Sequence, residues 1–415
     1  MNTFRPTILC TLGLLILLPG RAAGEEPFCK LYFDALHQGI EGAERHLPCM
    51  SRAADEVAER LVGGGELYIA CVRPDFVSEG IVRAGGLMML KQYSAAARPT
   101  SNDVIIVGWT SATPDRDLGL LRDLRQSGAF VIGIGPQPPA KTAEQLLVCV
   151  DAYLESTVPL PAAVTGRFSG QSFPLVSLQN LALLWSLKGE IVAACTRRGR
   201  MPTLYQSVLV PGARKRNAKY NGLHFHTGHA VPPVPPGQLG RAYLKQLAAI
   251  FGKLRDRETS AIHEVAAACA KTRGEGHKIH AFLISHFPVH QPGAPGDPKF
   301  MRRLDVIGGE TPDIEELRRK LRSGDLFFFL GYYRRPTASY QAARRAGAQI
   351  VEIVAGTNSP PGDGARPDYV IHPRWPYHDA LVAVPNYDIK ILPSSGIVQA
   401  SIFWAVNGAM SEEPK

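Results

Sequence analysis

The sequence predicts an α/β chain: two tandem three-layer α/β/α domains, each a mainly parallel sheet flanked by helices. Three observations carry this. Short runs such as "DVIIVGW" and "GDLFFFLGYY" are almost wholly apolar, as strands buried on both faces must be. They alternate with helical patterns, which builds crossover units around a parallel sheet. Landmarks also recur about 220 residues apart: Asp103 with Asp325, Gly128 with Gly347, Asp151 with Asp368, Pro174 with Pro393, Trp185 with Trp404.

Residues 1–24 read as a signal peptide. Arg5 precedes an apolar run from Ile8 to Leu18, Pro19 and Gly20 break it, and Ala22 and Gly24 fit a signal-peptidase site. The run is too short for a stable membrane span. The expected location is exported, periplasmic or secreted. Beyond this leader lie Cys29, Cys49, Cys71, Cys149, Cys195 and Cys269, with no Cys-x-x-Cys pair. Export permits a disulfide, and Cys29 with Cys49 is the one pair worth considering.

The first domain is placed at residues 25–201. A helical region from Lys30 to Leu61 ends at the glycines Gly63 to Gly65, and the strand "ELYIACV" follows. Next come the strand "DVIIVGW", the helix "PDRDLGLLRDLRQSG", the strand "AFVIGIG", the segment "VCVDAYLES" and a long apolar helix. Residues 202–240 form a linker rich in Pro, Gly and His; Pro232, Pro233, Pro235 and Pro236 stiffen its end. It is too long for an ordinary loop, so it should pack along the domains. The second domain, 241–415, repeats the order: a helix, the strands "KIHAFLIS" and "GDLFFFLGYY", the helix "TASYQAARRAG", the strand "AQIVEIVAG", and a final helix "SGIVQASIFWAVNGAM".

The net charge of +9 over 415 residues suits an anionic ligand. It is spread along the chain, and its densest run, "ARKRNAK", is short and not interleaved with aromatics, so no nucleic-acid partner is expected.

Ligands of open parallel sheets bind at the carboxyl ends of the strands. Three hydroxyls, Thr110, Ser111 and Thr113, stand there after "DVIIVGW", followed by Pro114 and Asp115. Hydroxyls and free N–H groups at a helix start would hold phosphate oxygens. The same residues would also cap a helix with no ligand. Arg73, after the first strand, offers a cation. Tyr333 and Arg335, with Tyr332 and Arg334 beside them, hold the equivalent place in the second half, where an arginine fork suits phosphate or carboxylate. The histidines cluster in "HFHTGH" and "HKIHAFLISHFPVH" without converging spacing, so neither metal nor cofactor is expected. His286 and His378 stand out as rim histidines able to titrate near neutrality.

In its second half, "KIHAFLISHFPVH" resembles the first strand and loop of the sugar isomerase (SIS) domain family, with His286 on the family histidine. "PYHDALVAVPNYDIKILPSSGIVQASIFWAV" resembles the family's Asp-Ala-Leu-Val and Pro-Thr-Ser segment, placing Asp379, Ala380, Pro393 and Ser395. In the first half, "VRAGGLMML" resembles the family's Arg-Ala-Gly-Gly-Leu, and Glu79 falls on an acidic helix place. The resemblance covers roughly Lys30 to Met201 and Arg241 to Met410. It implies a phosphosugar-binding fold in tandem, with His286 and Glu79 as catalytic candidates beside the rim histidine His378. Substrate contacts would fall to Thr110, Ser111, Thr113, Arg73, Tyr333, Arg335, Ser394 and Ser395. The family's phosphate loop is altered, however: Trp109 and Ala112 replace its Ser and Gly, and Gly331 and Tyr333 replace both serines in the second half. Leu283, Ile284 and Phe287 likewise displace the glycine-rich first loop. The expectation is therefore an exported sugar or sugar-phosphate binder with catalysis weakened or lost. An active aldose–ketose or amino-sugar phosphate isomerase and a ligand-free structural pseudo-dimer are the alternatives. A homo-oligomer stays open.

Overall fold

The computed structural model describes residues 27–110, 114–138, 140–158, 162–168, 170, 173–229, 231–283, 294, 296–304, 311–356 and 366–411. The proposed signal peptide, Ser111, Thr113 and His286 lie outside them. The first half runs α1 (Phe28–Gly42), α2 (Leu47–Val62), β1 (Leu67–Cys71), α3 (Pro74–Gly80), β2 (Leu90–Gln92), β3 (Val104–Gly108), α4 (Pro114–Gln126), β4 (Phe130–Gly135), α5 (Ala140–Leu147), β5 (Ala152–Glu155), α6 (Ala162–Thr165) and α7 (Phe173–Arg197). After α8 (Ala213–Tyr220), the second half runs α9 (Gln238–Arg257), α10 (Thr259–Gly274), β6 (Ile279–Leu283), β7 (Arg302–Arg303), α11 (Ile314–Lys320), β8 (Leu326–Leu330), α12 (Thr337–Arg345), β9 (Gln349–Ile353), β10 (Tyr369–Ile371), β11 (Ala380–Ala383), β12 (Lys390–Pro393) and α13 (Ser395–Met410).

The fold is α/β, with two five-stranded sheets that are parallel throughout. Their orders correspond: β2-β1-β3-β4-β5 and β7-β6-β8-β9-β10. A separate antiparallel pair, β11 with β12, precedes the last helix.

Alternation along the strands explains the layers. In β3, Ile105 and Val107 face an outer cluster with Leu118, Leu121 and Leu146 of α4 and α5. Val104 and Ile106 face an inner core instead. In the second sheet, Phe327 and Phe329 meet Leu317 of α11 and Tyr340 of α12 on the outer side, while Phe328 and Leu330 face inward. The inner core is one cluster shared by both halves. Helix α1 packs on α9 and α13, and α7 packs on α9.

The paired landmarks do the same local work in each half. Asp103 accepts from Glu66 N at 2.7 Å and Thr100 N at 2.6 Å. Asp325 accepts from Lys278 N and Arg322 N, both at 2.9 Å. Each carboxylate thus ties the start of a central strand to the strand beside it. Asp151 holds Val131 N and Arg125, as Asp368 holds Ile350 N and Arg344. Gly128 and Gly347 adopt φ 76° and 74°, which a side chain resists.

The segment between the halves is packed down. Met88 N donates to Thr203 O, and Gly85 N to Tyr205 O. Arg216 on α8 forks onto Asp388, both nitrogen–oxygen distances being 2.8 Å, and also reaches Leu204 O and Tyr387 Oη. The described cysteines form no disulfide; Cys29 Sγ lies 3.9 Å from Thr259 O and Cys49 Sγ 4.0 Å from Tyr153 O. Among the described residues, no helix is long and apolar enough to cross a membrane.

Candidate functional site

The carboxyl rim of the first sheet is shaped by close packing. Gly108 ends β3 where a Cβ would lie 2.6 Å from the Phe76 ring. Trp109 follows, and it turns into the outer core rather than toward the rim. Its ring stacks on Tyr153 at 5.4 Å and covers Gly133 and Gly135, where a Cβ would lie within 2.7 Å of it. Its indole donates to Pro136 O at 3.0 Å, and Asn180 from α7 donates to its carbonyl at 2.7 Å. The tryptophan therefore replaces a rim hydroxyl with core packing.

Thr110 comes next. It is only 8% exposed, and its Oγ1 is buried with no hydrogen-bond partner among the described residues. A buried hydroxyl left unpaired costs about 1–3 kcal/mol, so it is poised to bond a group beyond the described residues. Helix α4 begins four residues on, at Pro114, with Asp115 and Asp117 in its first turn. Those carboxylates already use the helix field, so a bound anion would depend on hydroxyls and backbone N–H groups. Arg73 flanks α3, its backbone N donating to Cys71 Sγ at 3.3 Å.

A second constellation lies where the halves meet. Asp379 is fully buried before β11, and its Oδ1 accepts from Ser394 N at 3.0 Å and Ser395 N at 2.6 Å, capping α13 from a distance. Its Oδ2 accepts from Ser395 Oγ at 2.7 Å and from the Tyr332 hydroxyl. Arg83, from the first half, donates to Ser395 Oγ at 3.0 Å and lies 3.3 Å from Glu79 Oε2. Glu79 in turn accepts from the Trp185 indole at 3.3 Å. Lys188 sits 3.7 Å over the Trp185 ring and donates to Gly80 O at 2.5 Å.

Burial sets the electrostatics of this cluster. It raises the Glu79 carboxyl to about 8, against the pull of Arg83, and lowers the Lys188 ammonium to about 7, against the pull of Glu79. Both groups would hold or release a proton near neutrality. Yet Glu79 and Lys188 are each 1% exposed, so the arrangement ties the halves together rather than meeting solvent.

The predicted residues are thus sorted by place. Glu79, Ser394 and Ser395 come together in the buried cluster. His378 adjoins it in sequence, but its side chain is exposed. Tyr333 is half-buried, donating to Pro376 O at 2.9 Å and accepting from the Trp375 indole at 3.1 Å. Arg335 lies apart, where its Nε contacts both oxygens of buried Glu352 at 2.8 and 3.0 Å, and Tyr340 Oη joins at 2.9 Å. The fork expected to take a ligand is engaged by the chain's own carboxylate. Sequence reading missed that Arg83, Asp379, Tyr332 and Lys188 share one buried cluster with Glu79. Their signal was present: Arg83 and Asp379 stand inside the family-like segments, and Lys188 interrupts an apolar helix. The histidines scatter, with His224 beside Glu66 at 3.4 Å and His226 beside Tyr387 at 2.9 Å. No group of three metal-ligating side chains occurs among the described residues.

No protein-family model matches the sequence, and no curated protein matches it. Solved structures do. The C-terminal domain of glucosamine-fructose-6-phosphate aminotransferase from Francisella tularensis superposes with a TM-score of 0.54 at 10% identity, covering 94% of this chain and 98% of that one. Candidate phosphosugar isomerases from Silicibacter pomeroyi DSS-3 and Clostridium difficile 630 reach TM-scores of 0.43 and 0.45, at 10% and 9% identity. They cover 93% of this chain each, and 98% and 94% of their own. The likeness to the aminotransferase domain shows the fold: the two sheets and their helices are arranged as in that sugar-phosphate enzyme's domain.

Proposed function

We propose that the chain is an exported binder of a sugar or sugar phosphate, of sugar-isomerase type, whose isomerase chemistry is degenerate. The ligand sits at the carboxyl rim of the first sheet. The observation that carries this is the Thr110 hydroxyl, buried at the end of the central strand and without a hydrogen-bond partner among the described residues. The fold likeness to an aminotransferase domain named for a hexose 6-phosphate supports the ligand class. Degeneracy is supported by Trp109, which packs in the core, and by Glu79, which is sealed against Arg83 and Trp185. Export is supported by the pattern of residues 1–24.

The test is calorimetric titration of the purified chain with glucosamine 6-phosphate, fructose 6-phosphate and a muramic acid phosphate. At least one should bind, and Thr110→Val should weaken it roughly tenfold, as losing one good hydrogen bond does. The bound sugar should keep its C2 proton in deuterated water. Absence of binding at millimolar ligand, or unchanged affinity in the variant, would refute the assignment of this rim.

A further inference from the structure

We propose that the carboxyl rim of the second sheet carries a separate site for an uncharged saccharide ring, stacked on Tyr377. This deepens the carbohydrate reading above and rests on it for the class of ligand.

Apart from exposed Arg334, the arginines named at this rim are already matched within the chain. Arg335 is engaged by Glu352, Arg83 by Asp379, Ser395 and Glu79, and Arg374 by Glu258, from which Nε lies 2.7 Å away. An anion entering here would compete with buried carboxylates already bonded to these arginines. An uncharged ligand faces no such contest.

The rim offers aromatic surface instead. Tyr332 and Tyr333 meet edge to face at 4.8 Å, as do Tyr333 and Tyr377 at 5.1 Å, and the His378 ring lies tilted against Tyr377 at 4.3 Å. Trp375 lies behind them, its indole bonded to Tyr333. Tyr377 is 54% exposed, the one phenol or larger ring so open among the described residues. A pyranose has an apolar face of C–H groups that suits such a ring, and a rim of hydroxyls for which His378 and Arg334 are exposed partners.

The platform is rigid. Arg374, His378 and Asp379 adopt φ 65°, 77° and 68°, left-handed conformations that a non-glycine residue resists. They persist because the Arg374 and Asp379 side chains are fixed at Glu258 and at the start of α13. The Tyr377 hydroxyl is bonded in turn to Leu209 O at 3.3 Å. A ring held on such a fixed backbone is preorganised for contact, since a fixed aromatic loses little entropy on binding.

Trp375 makes the proposal testable. The full chain is labelled with 5-fluorotryptophan, the Trp375 resonance is assigned by Trp375→Phe, and the fluorine spectrum is followed with N-acetylglucosamine and its β-1,4-linked tetramer. A saturable shift of that resonance is expected. It should disappear in Tyr377→Ala, survive in Tyr377→Trp and be unaffected by Thr110→Val. An unmoved resonance, a shift that survives Tyr377→Ala, or one lost in Thr110→Val would overturn the site. Glucosamine 6-phosphate separates the two readings. If it binds through Thr110 while neutral saccharides leave Trp375 unmoved, only this inference fails; if nothing binds, both fail.

Discussion

At the scale of single residues, Glu79 shows how burial converts an ordinary side chain into a pH-sensitive part. In the unfolded chain its carboxyl titrates at the usual 4.5, while burial in the folded chain raises it to about 8. Folding therefore takes up a proton between these values, and this contribution to stability is lost as pH rises through 8. Lys188 acts the other way. It titrates at 10.5 when free and at about 7 when folded, so the folded chain sheds a proton and stability recovers as pH climbs above 7. Together they place a stability minimum where the two windows overlap, at weakly alkaline pH. Glu79→Gln should remove the acid-side slope, which is worth at most about 1.4 kcal/mol per pH unit. Urea midpoints from about pH 5 to about pH 8 check this; parallel curves for the variant and the parent would exclude Glu79 as the source.

At the scale of elements, the Arg-Ala-Gly-Gly-Leu segment is the crossing point of three parts of the chain. Gly85 donates to Tyr205 O in the connecting segment and accepts from Leu392 N in β12. Its φ is 73°, and a Cβ there would lie 2.6 Å from Leu392 N and 2.8 Å from Ile391 C, backbone atoms that cannot swing aside. Gly85→Ala should destabilise the chain by on the order of 2–3 kcal/mol. Proteolysis should then open the segment around Tyr205 first; a variant as resistant as the parent would mean the crossing is not a restraint. The sequence made the strands legible because apolar runs of that length, broken by glycines and followed by helical patterns, permit few other folds. It made the landmark aspartates legible because each does a local job. The β11–β12 pair was not legible: its residues are short, mixed in polarity, and fixed by Gly85 and Arg216 from far along the chain. The Thr110 rim was visible by position. The engagement of Arg335 was not, because Glu352 lies inside an apolar strand and no local pattern announces the pairing.

At the scale of the whole molecule, the two sheets do not form two independent bodies. One apolar cluster runs from Phe33, Met50 and Leu187 in the first half to Phe251, Ile262 and Trp404 in the second. A charge reinforces it: Glu190, fully buried in α7, accepts from Ser51 Oγ at 2.8 Å and from Gly237 N and Gly240 N at 2.6 and 2.9 Å. The last two are free donors at the start of α9, so a carboxylate of one half serves as the N-terminal partner of the other half's first helix. Contacts between domains of one chain are usually modest and polar, which lets the domains unfold separately. A shared core removes that freedom, because exposing either half strips apolar surface from both. The chain should therefore melt in a single calorimetric transition whose van't Hoff and calorimetric enthalpies agree. Glu190→Ala leaves three buried donors unpaired and should lower that transition by about 3–5 kcal/mol of stability without dividing it. Two resolved transitions in the parent chain would show that the halves fold as separate units, and would assign the shared cluster a docking role only.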